Sequence, residues 1–269
     1  MTFEQFAIAH GLMIKSVIFD KWVRVPTDDH PKKLNGAYIF DGHTGALINF
    51  ALHDKHIIYK SKDPYVHDPN AVAKRQQLHK ERLERQEKAK RKADYIVSQT
   101  TQSTHPYMIR KGFKRKFSVW KDLLVVPMRV GELLVGCQLI SPDGTKRFLS
   151  GQITKGASLM IEKMAGRDIV CEGLATAMSV RRAMHHLCVP YRIHICFSAN
   201  NMVEIASCLA NPLVIADHDD TGIRCAKKIA STYWLGEAGE DFNDAEQRQG
   251  TAAVADSLRP FLYSTSPTL

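Results

Sequence analysis

The pattern of apolar and polar positions divides this chain into three zones. In residues 1–68, short apolar runs alternate with turn residues. Asn35-Gly36 and Asp41-Gly42 bracket Ala37-Tyr38-Ile39-Phe40, the mark of a short strand between tight turns. This zone is expected to be a small α+β module opened by a helix from about Thr2 to His10. Over residues 69–100 the apolar positions thin out. The stretch from Lys74 to Lys92 is made almost wholly of helix formers, with Pro69-Asn70 as a plausible start. Glu81 with Arg85, Glu84 with Lys88 and Glu87 with Arg91 are spaced as i,i+4 pairs, acid before base. A charged linker helix is expected here.

The third zone, residues 101–269, carries the larger core. Leu123–Pro127, Leu133–Ile140, Asp168–Cys171, Ile193–Phe197 and Leu213–Ala216 read as strands. Ala175–Leu187, Asn201–Leu209 and Gly222–Trp234 read as helices between or after the later ones. Strand-helix alternation with short apolar strands predicts an α/β class fold, a mainly parallel sheet flanked by helices.

Charge changes the picture next. The 269 residues carry 37 Lys and Arg against 28 Asp and Glu, a formal net charge of +9 and a pI near 9.2. Such a surplus favours a polyanionic partner, because neutralising phosphates releases condensed counterions. Between Ala71 and Tyr95 stand nine Lys/Arg and four Asp/Glu. The linker helix therefore reads as a solvated connector whose basic side chains can also track a nucleic-acid backbone.

The six cysteines form no C-x-x-C pair, so no zinc is expected. The N-terminus lacks a basic segment followed by an apolar run, and no stretch approaches 18 uninterrupted apolar residues. A cytoplasmic protein with no membrane partner is expected.

The candidate chemistry is acidic. In open α/β sheets, ligands gather at the carboxyl ends of strands. Glu172 directly follows the strand Asp168–Cys171. Asp217-His-Asp-Asp-Thr-Gly222 directly follows Leu213–Ala216. Asp217 and Asp219 are two residues apart, so an extended backbone directs both side chains the same way. Three carboxylates converging on one point repel unless a hard cation offsets them, and Mg²⁺ suits oxygen ligands. A second acidic segment, Glu240–Asp244, follows the last predicted helix and offers Asp241 as a further ligand. The plainer reading is that carboxylates at helix starts serve as caps. His218, between two of the candidates, is read as a helix-start residue.

Glu172-Gly173, Asp217-x-Asp219-x-x-Gly222 and Asp241-Phe-Asn-Asp244, each in this order, resemble the Toprim domain. Cys171-Glu-Gly-Leu-Ala-Thr-Ala177 resembles the EGxATA segment of Toprim primases encoded by phages and plasmids. Ser141–Gly151 resembles their DPDGxKRFL stretch and His105–Gly112 their HPYLxRKG segment. Lys33–Phe50 resembles a module that precedes it. The resemblance covers most of the chain and implies a Toprim subdomain at about residues 165–269.

It further implies a DNA primase, a nucleotidyltransferase that joins NTPs into short RNA primers on a single-stranded DNA template during replication of a mobile element. Glu172, Asp217 and Asp219 would be catalytic and would hold Mg²⁺ or Mn²⁺, with Asp241 as an additional ligand. Lys146 and Arg147 would contact nucleotide or template, the alternative being an exposed hairpin charge pair. Arg110, Lys111, Lys114 and Arg115 form a second basic run, interleaved with Tyr107, Phe113 and Phe117, which are either stacking platforms or core. A replicative helicase or an initiator on a separate chain is the implied partner.

The chain departs from the family in lacking the cysteines of an N-terminal zinc module. Gly151–Ser158 has the glycine spacing of a phosphate loop, but Ala157 stands where the lysine is needed. Two other functions stay open: a Toprim-type metal-dependent nuclease, and a catalytically silent single-stranded DNA-binding or partner-loading subunit.

Overall fold

The computed structural model describes residues 1–53, 55–62, 71–164, 166–230 and 232–262. The chain forms two compact units, Met1–Arg75 and Gln76–Leu269. The expected helix start at Pro69-Asn70 lies outside the described residues.

In the first unit, helix α1 (Phe3–Ala9) is closed at its N-terminus by a capping box between Thr2 and Gln5. Strands β1 (Val23–Val25), β2 (Gly36–Phe40), β3 (Thr44–Asn49) and β4 (Ile57–Lys60) follow as an antiparallel sheet in chain order. Phe3 stacks on Phe40 with ring centroids 4.4 Å apart, and Tyr38, Leu47 and Tyr59 complete the core. Gly45 sits in β3 because a Cβ there would run into the Phe3 ring.

In the second unit, helix α2 (Ala71–Ser98) is apolar on one face only near its end. Ala89, Ala93 and Ile96, at helical spacing, are buried against Val125, Leu134, Cys137 and Leu149. The stretch from Gln76 to Arg85 is exposed. Of the expected i,i+4 pairs, Arg91 and Glu87 meet at 3.1 Å, while Arg85 donates to the Glu81 carbonyl instead.

Next come β5 (Thr101–Ser103), α3 (Pro106–Arg110), β6 (Phe117–Trp120), β7 (Leu123–Val130), β8 (Leu133–Ile140) and β9 (Lys146–Phe148). These strands form an antiparallel meander in chain order. The apolar runs at 123–127 and 133–140 thus belong to this sheet and not to the parallel layer. Only Gly131-Glu132 separates β7 from β8, which suffices for a hairpin and is far too short for a crossover.

The other sheet contains β10 (Leu159–Lys163), β11 (Arg167–Cys171), β12 (Tyr191–Ile195), β13 (Leu213–Ala216) and β14 (Trp234–Leu235), in the order β10-β12-β11-β13-β14. All its pairs are parallel except the antiparallel edge β10–β12, so the fold is of mixed α/β class with a mainly parallel sheet. Helices α4 (Leu174–His186), α5 (Ala199–Ala206) and α6 (Asp220–Ile229) connect the strands. The acidic segment Glu240–Asp244, expected after the last helix, instead opens α7 (Phe242–Gln249), and α8 (Thr251–Asp256) and α9 (Arg259–Leu262) follow. The predicted helix ending at Trp234 stops at Ile229. Ala230 is extended, and Trp234 opens β14.

Side chains alternate across this sheet as the pleat requires. Ile169, Cys171, Leu213 and Ile215 join α4 and α7 in one core, while Val170, Val214 and Ala216 pack with α5 and α6 residues in another. The chain runs from β11 outward to β12 and then crosses back to β13 on the other side of β11. The strand order therefore reverses between β11 and β13, the switch point at whose carboxyl ends open α/β sheets place their ligand crevice.

At the opposite end of β11, Asp168 (8% exposed) accepts from Arg192 at 2.6 and 2.9 Å and lies 2.9 Å from His194 Nε2. Burial alone would raise its pKa, but these two partners outweigh it and hold the carboxyl below its usual range. A depressed carboxyl contributes stability that is present above its unfolded pKa and lost as pH falls through its folded pKa. Asp168→Ala is expected to cost about 2 kcal/mol at pH 7, discounted because Arg192 is partly exposed. In urea titrations that difference should shrink below about pH 4. A difference that persists unchanged at pH 3 would contradict the assignment.

Candidate active site

The crevice at the switch point collects the acidic residues singled out in the sequence. Glu172 is the first residue past β11. Its backbone continues the ladder, the carbonyl accepting from Phe197 N at 2.8 Å. Its carboxylate accepts from the Ala199 N–H at the start of α5. Burial raises the Glu172 pKa, and the charges of Asp219 and Asp241 add to this. Lys146 and the Ala199 N–H act the other way.

Asp217 is the first residue past β13. Its Oδ1 is buried and has no hydrogen-bond partner among the described residues. Burial is the largest cause pushing this carboxyl from 3.8 up to about 7. Glu172, Asp241 and Asp219 push the same way, against Lys146. A carboxylate oxygen hidden from water without a donor is costly unless something absent from the polypeptide satisfies it.

Asp219 and Asp241 are near enough to act on these two charges, yet each has a structural task. Asp219 is the N-cap of α6, accepting from Gly222 N at 2.6 Å. Asp241 caps α7 in a capping box with Asp244. The capping reading of these carboxylates thus holds beside their proximity to the crevice. Gly222 is required by close approach, since a Cβ there would collide with the Asp217 carbonyl oxygen.

His218 is not the cap. Its Nδ1 donates to Gly236 O at 2.8 Å, its N–H bonds Glu240 O, and its carbonyl accepts from Gly239 N. These bonds tie the Asp217 loop to the loop that delivers Asp241. Among the described residues, no three His, Cys, Asp or Glu stand together in metal-ligating geometry. A buried Asp217 oxygen without a donor, within reach of the charges of Glu172, Asp241 and Asp219, nevertheless has the hard-oxygen chemistry that Mg²⁺ takes while keeping most of its waters.

The basic residues separate. Lys146 lies on β9, the edge strand of the antiparallel sheet, and its charge bears on both Glu172 and Asp217. A Cβ added to Gly173 would lie 3.5 Å from its Nζ. Phe148 meets the Phe197 ring edge-on with centroids 6.4 Å apart, which helps to seat the strand. Arg147, one residue on, alternates to the other face and bears on Asp143.

Lys111 is drawn into the acidic rim, 2.8 Å from Asp244 and 3.7 Å from Asp241. Burial alone would lower its pKa, but Asp244 and Asp241 outweigh that and raise it. Arg110 donates to Pro142 O. Lys114 and Arg115 are exposed, while Phe113 and Phe117 are buried core residues with Tyr107 packed against them.

Asn243 had no signal in the sequence. It is fully buried, and its Nδ2 donates to Lys111 O at 2.9 Å and Ser179 Oγ at 2.8 Å. It locks α7, and with it Asp241, to α4 and to the end of α3. Only its place inside the Asp241–Asp244 segment could have pointed to it. No helix among the described residues is long and apolar enough to cross a membrane. No protein-family model matches the chain, and no solved structure does either.

Proposed function

We propose that this protein is a Toprim-type DNA primase, carrying out metal-dependent joining of ribonucleotides on single-stranded DNA at the crevice between β11 and β13. The single observation that carries the reading is Asp217. It is a carboxyl at a strand end in a topological switch point, with a buried unpartnered oxygen and a pKa pushed to about 7 beside Glu172 and Asp241. Half-buried carboxylates that raise one another's pKa beside a lysine suit phosphoryl and nucleotidyl transfer. The EGxATA-like and DPDGxKRFL-like segments supply Glu172 and Lys146 to this same crevice, which favours a primase over the nuclease.

Asp217 and Glu172, with Asp219 and Asp241 at the rim, would hold Mg²⁺ or Mn²⁺. When bound, the ion neutralises triphosphate charge and acidifies the attacking hydroxyl. The protein's own groups do the rest. Glu172, where it does not ligate the ion, would accept the proton of the attacking hydroxyl as pyrophosphate leaves. Lys146 meets the negative charge of the incoming nucleotide. The buried walls of β11 and β13 limit water at the reacting atoms. A helicase or initiator on another chain would deliver the template.

The test is synthesis on single-stranded circular DNA with labelled ribonucleotides and Mg²⁺. Short NTP-dependent RNA products support the proposal. Template cut without NTPs would replace it with the nuclease, and binding without either reaction would leave a silent DNA-binding subunit.

Lys146→Met offers a second check. Lys146 lowers the pKa of both Glu172 and Asp217, so its loss lets both hold protons to higher pH. Turnover should fall about 10²-fold, the lower end of the range for loss of a single charge-stabilising group. The acid limb of the rate profile should move to higher pH. A slower enzyme with an unmoved limb would show that Lys146 does not act on these carboxylates.

A further inference from the structure

The turn that leads from β12 into α5 carries backbone strain beside the crevice. Six non-glycine residues among those described have positive φ. Asp20, Lys121, Met164, Cys188 and Asn211 lie in exposed or half-buried bends. Phe197, with φ 66°, is instead only 7% exposed and is the one aromatic residue among them. Left-handed backbone crowds any Cβ, and a bulky residue there is an outlier that persists only where its surroundings enforce it. The apolar run at 193–197 reads as one strand, yet β12 stops at Ile195 and the chain turns at Phe197.

Main chain, side chain and ring all enforce the turn. The Cys196 and Phe197 N–H groups donate to the Cys171 and Glu172 carbonyls, each at 2.8 Å, so the β11–β12 pairing runs on past the strand ends. Asn201 Nδ2 donates to Cys196 O at 2.8 Å and to Ala157 O at 2.7 Å, while its Oδ1 accepts from Gly156 N at 2.8 Å. The Phe197 ring lies in the core shared by β11 and α4.

The consequence falls on Glu172. With an extended φ at Phe197 the chain would continue alongside β11. The reversal instead brings Ser198, the N-cap, and Ala199, the first residue of α5, back toward Glu172. The Glu172 carbonyl receives the Phe197 N–H, and its carboxylate faces the Ala199 N–H. The sheet delivers Glu172 to a strand end, and the strained turn holds it there from the neighbouring strand.

We propose that Phe197 is a positioning residue: its left-handed backbone, clamped by Asn201, aims the Glu172 carboxylate into the crevice. The inference rests on the proposed function for what Glu172 does in turnover, and on the geometry of the turn for how it is aimed.

Two substitutions separate backbone from packing. Phe197→Gly adopts the left-handed conformation at ease, whereas the β-branched side chain of Phe197→Val opposes it. Valine fills more of the ring's place, so a purely packing role makes Phe197→Val the milder change. The positioning role predicts the reverse order. Phe197→Val should lose about 10²-fold in kcat with KM for nucleotide little changed, and Phe197→Gly should lose far less.

A second readout needs no turnover. It is the amide resonance of Ala199 in protein isotope-labelled at alanine, identified by its loss in Ala199→Ser. Adding Glu172→Gln should move this resonance in wild type and in the Phe197→Gly background, and leave it in place in the Phe197→Val background. Where a variant fails to fold, Phe197→Asn stands in for glycine, since asparagine tolerates the left-handed region, and Phe197→Ala stands in for valine. Equal responses in the two backgrounds, or no response in wild type, would overturn the inference. A response lost with valine alone, in a protein that makes no primers, would remove the primase reading and leave the positioning role standing. Primer synthesis at equal rates in both variants would do the reverse.

Discussion

Asp217→Asn is expected to reduce metal-dependent nucleotidyl transfer by about 10³-fold, the upper end for losing one electrostatic group at a reacting centre. The same change should make the metal-free protein more stable at pH 8. The folded-state pKa of Asp217, about 7, lies well above its unfolded value. A carboxyl raised in this way contributes stability that is fully present below the unfolded pKa and is lost as pH rises through about 7. At pH 8 the folded protein therefore carries a buried, crowded charge that an amide of the same shape avoids. The gain should be about 2 kcal/mol after discounting for partial solvent access, and it should vanish near pH 4.

Mg²⁺ should reverse the order of stabilities. At 100 times its dissociation constant, a bound ion stabilises wild type by ~2.7 kcal/mol and leaves the variant unaffected. Thermal melts at pH 8 with and without Mg²⁺ check both signs. A variant destabilised under both conditions would make Asp217 a structural residue.

Gly222→Ala should have the second largest effect. The Cβ would meet the Asp217 carbonyl oxygen, which is backbone and cannot rotate away, and the Asp219 cap on Gly222 N–H lies beside it. Relief requires moving the loop that aims Asp217. Overpacking of this kind costs about 1–3 kcal/mol, and a displacement near 1 Å at a reacting centre costs about 10²-fold in rate. Thr221→Ala, at an exposed neighbouring position, is the comparison. Equal turnover and melting temperature for the two variants would show that the loop tolerates the change and that the glycine is not needed for approach.

Much of the crevice was legible because it depends on local pattern. Glu172 and Asp217 each follow a short apolar strand, and strand ends are where open α/β sheets place ligands. Residues 213–216 form a strand with the predicted bounds, and α4 is offset by a single residue. Asp219 and Asp241 were legible as acidic residues. Capping was the plainer reading of these carboxylates, and the backbone N–H groups they accept from show which helix each one caps.

Long-range placement was not legible. Nothing in Thr145-Lys-Arg-Phe148 distinguishes a solvent-facing hairpin edge from one whose Lys146 reaches a neighbouring sheet, because the partners lie outside any local window. The strand β14 has only two residues, and the first of them, Trp234, reads in sequence as the end of the preceding helix. Asn243 is indistinguishable in sequence from a surface asparagine until α4 and the end of α3 close over it.

The claim on which the whole account depends is that Asp217 and its neighbours form a metal site. Calorimetric titration of Mg²⁺ at pH 8 into wild type and Asp217→Asn tests it without requiring template, nucleotide or partner. The account predicts saturable binding to wild type and none to the variant. Equal binding by both proteins, or no binding to wild type at millimolar Mg²⁺, would contradict it.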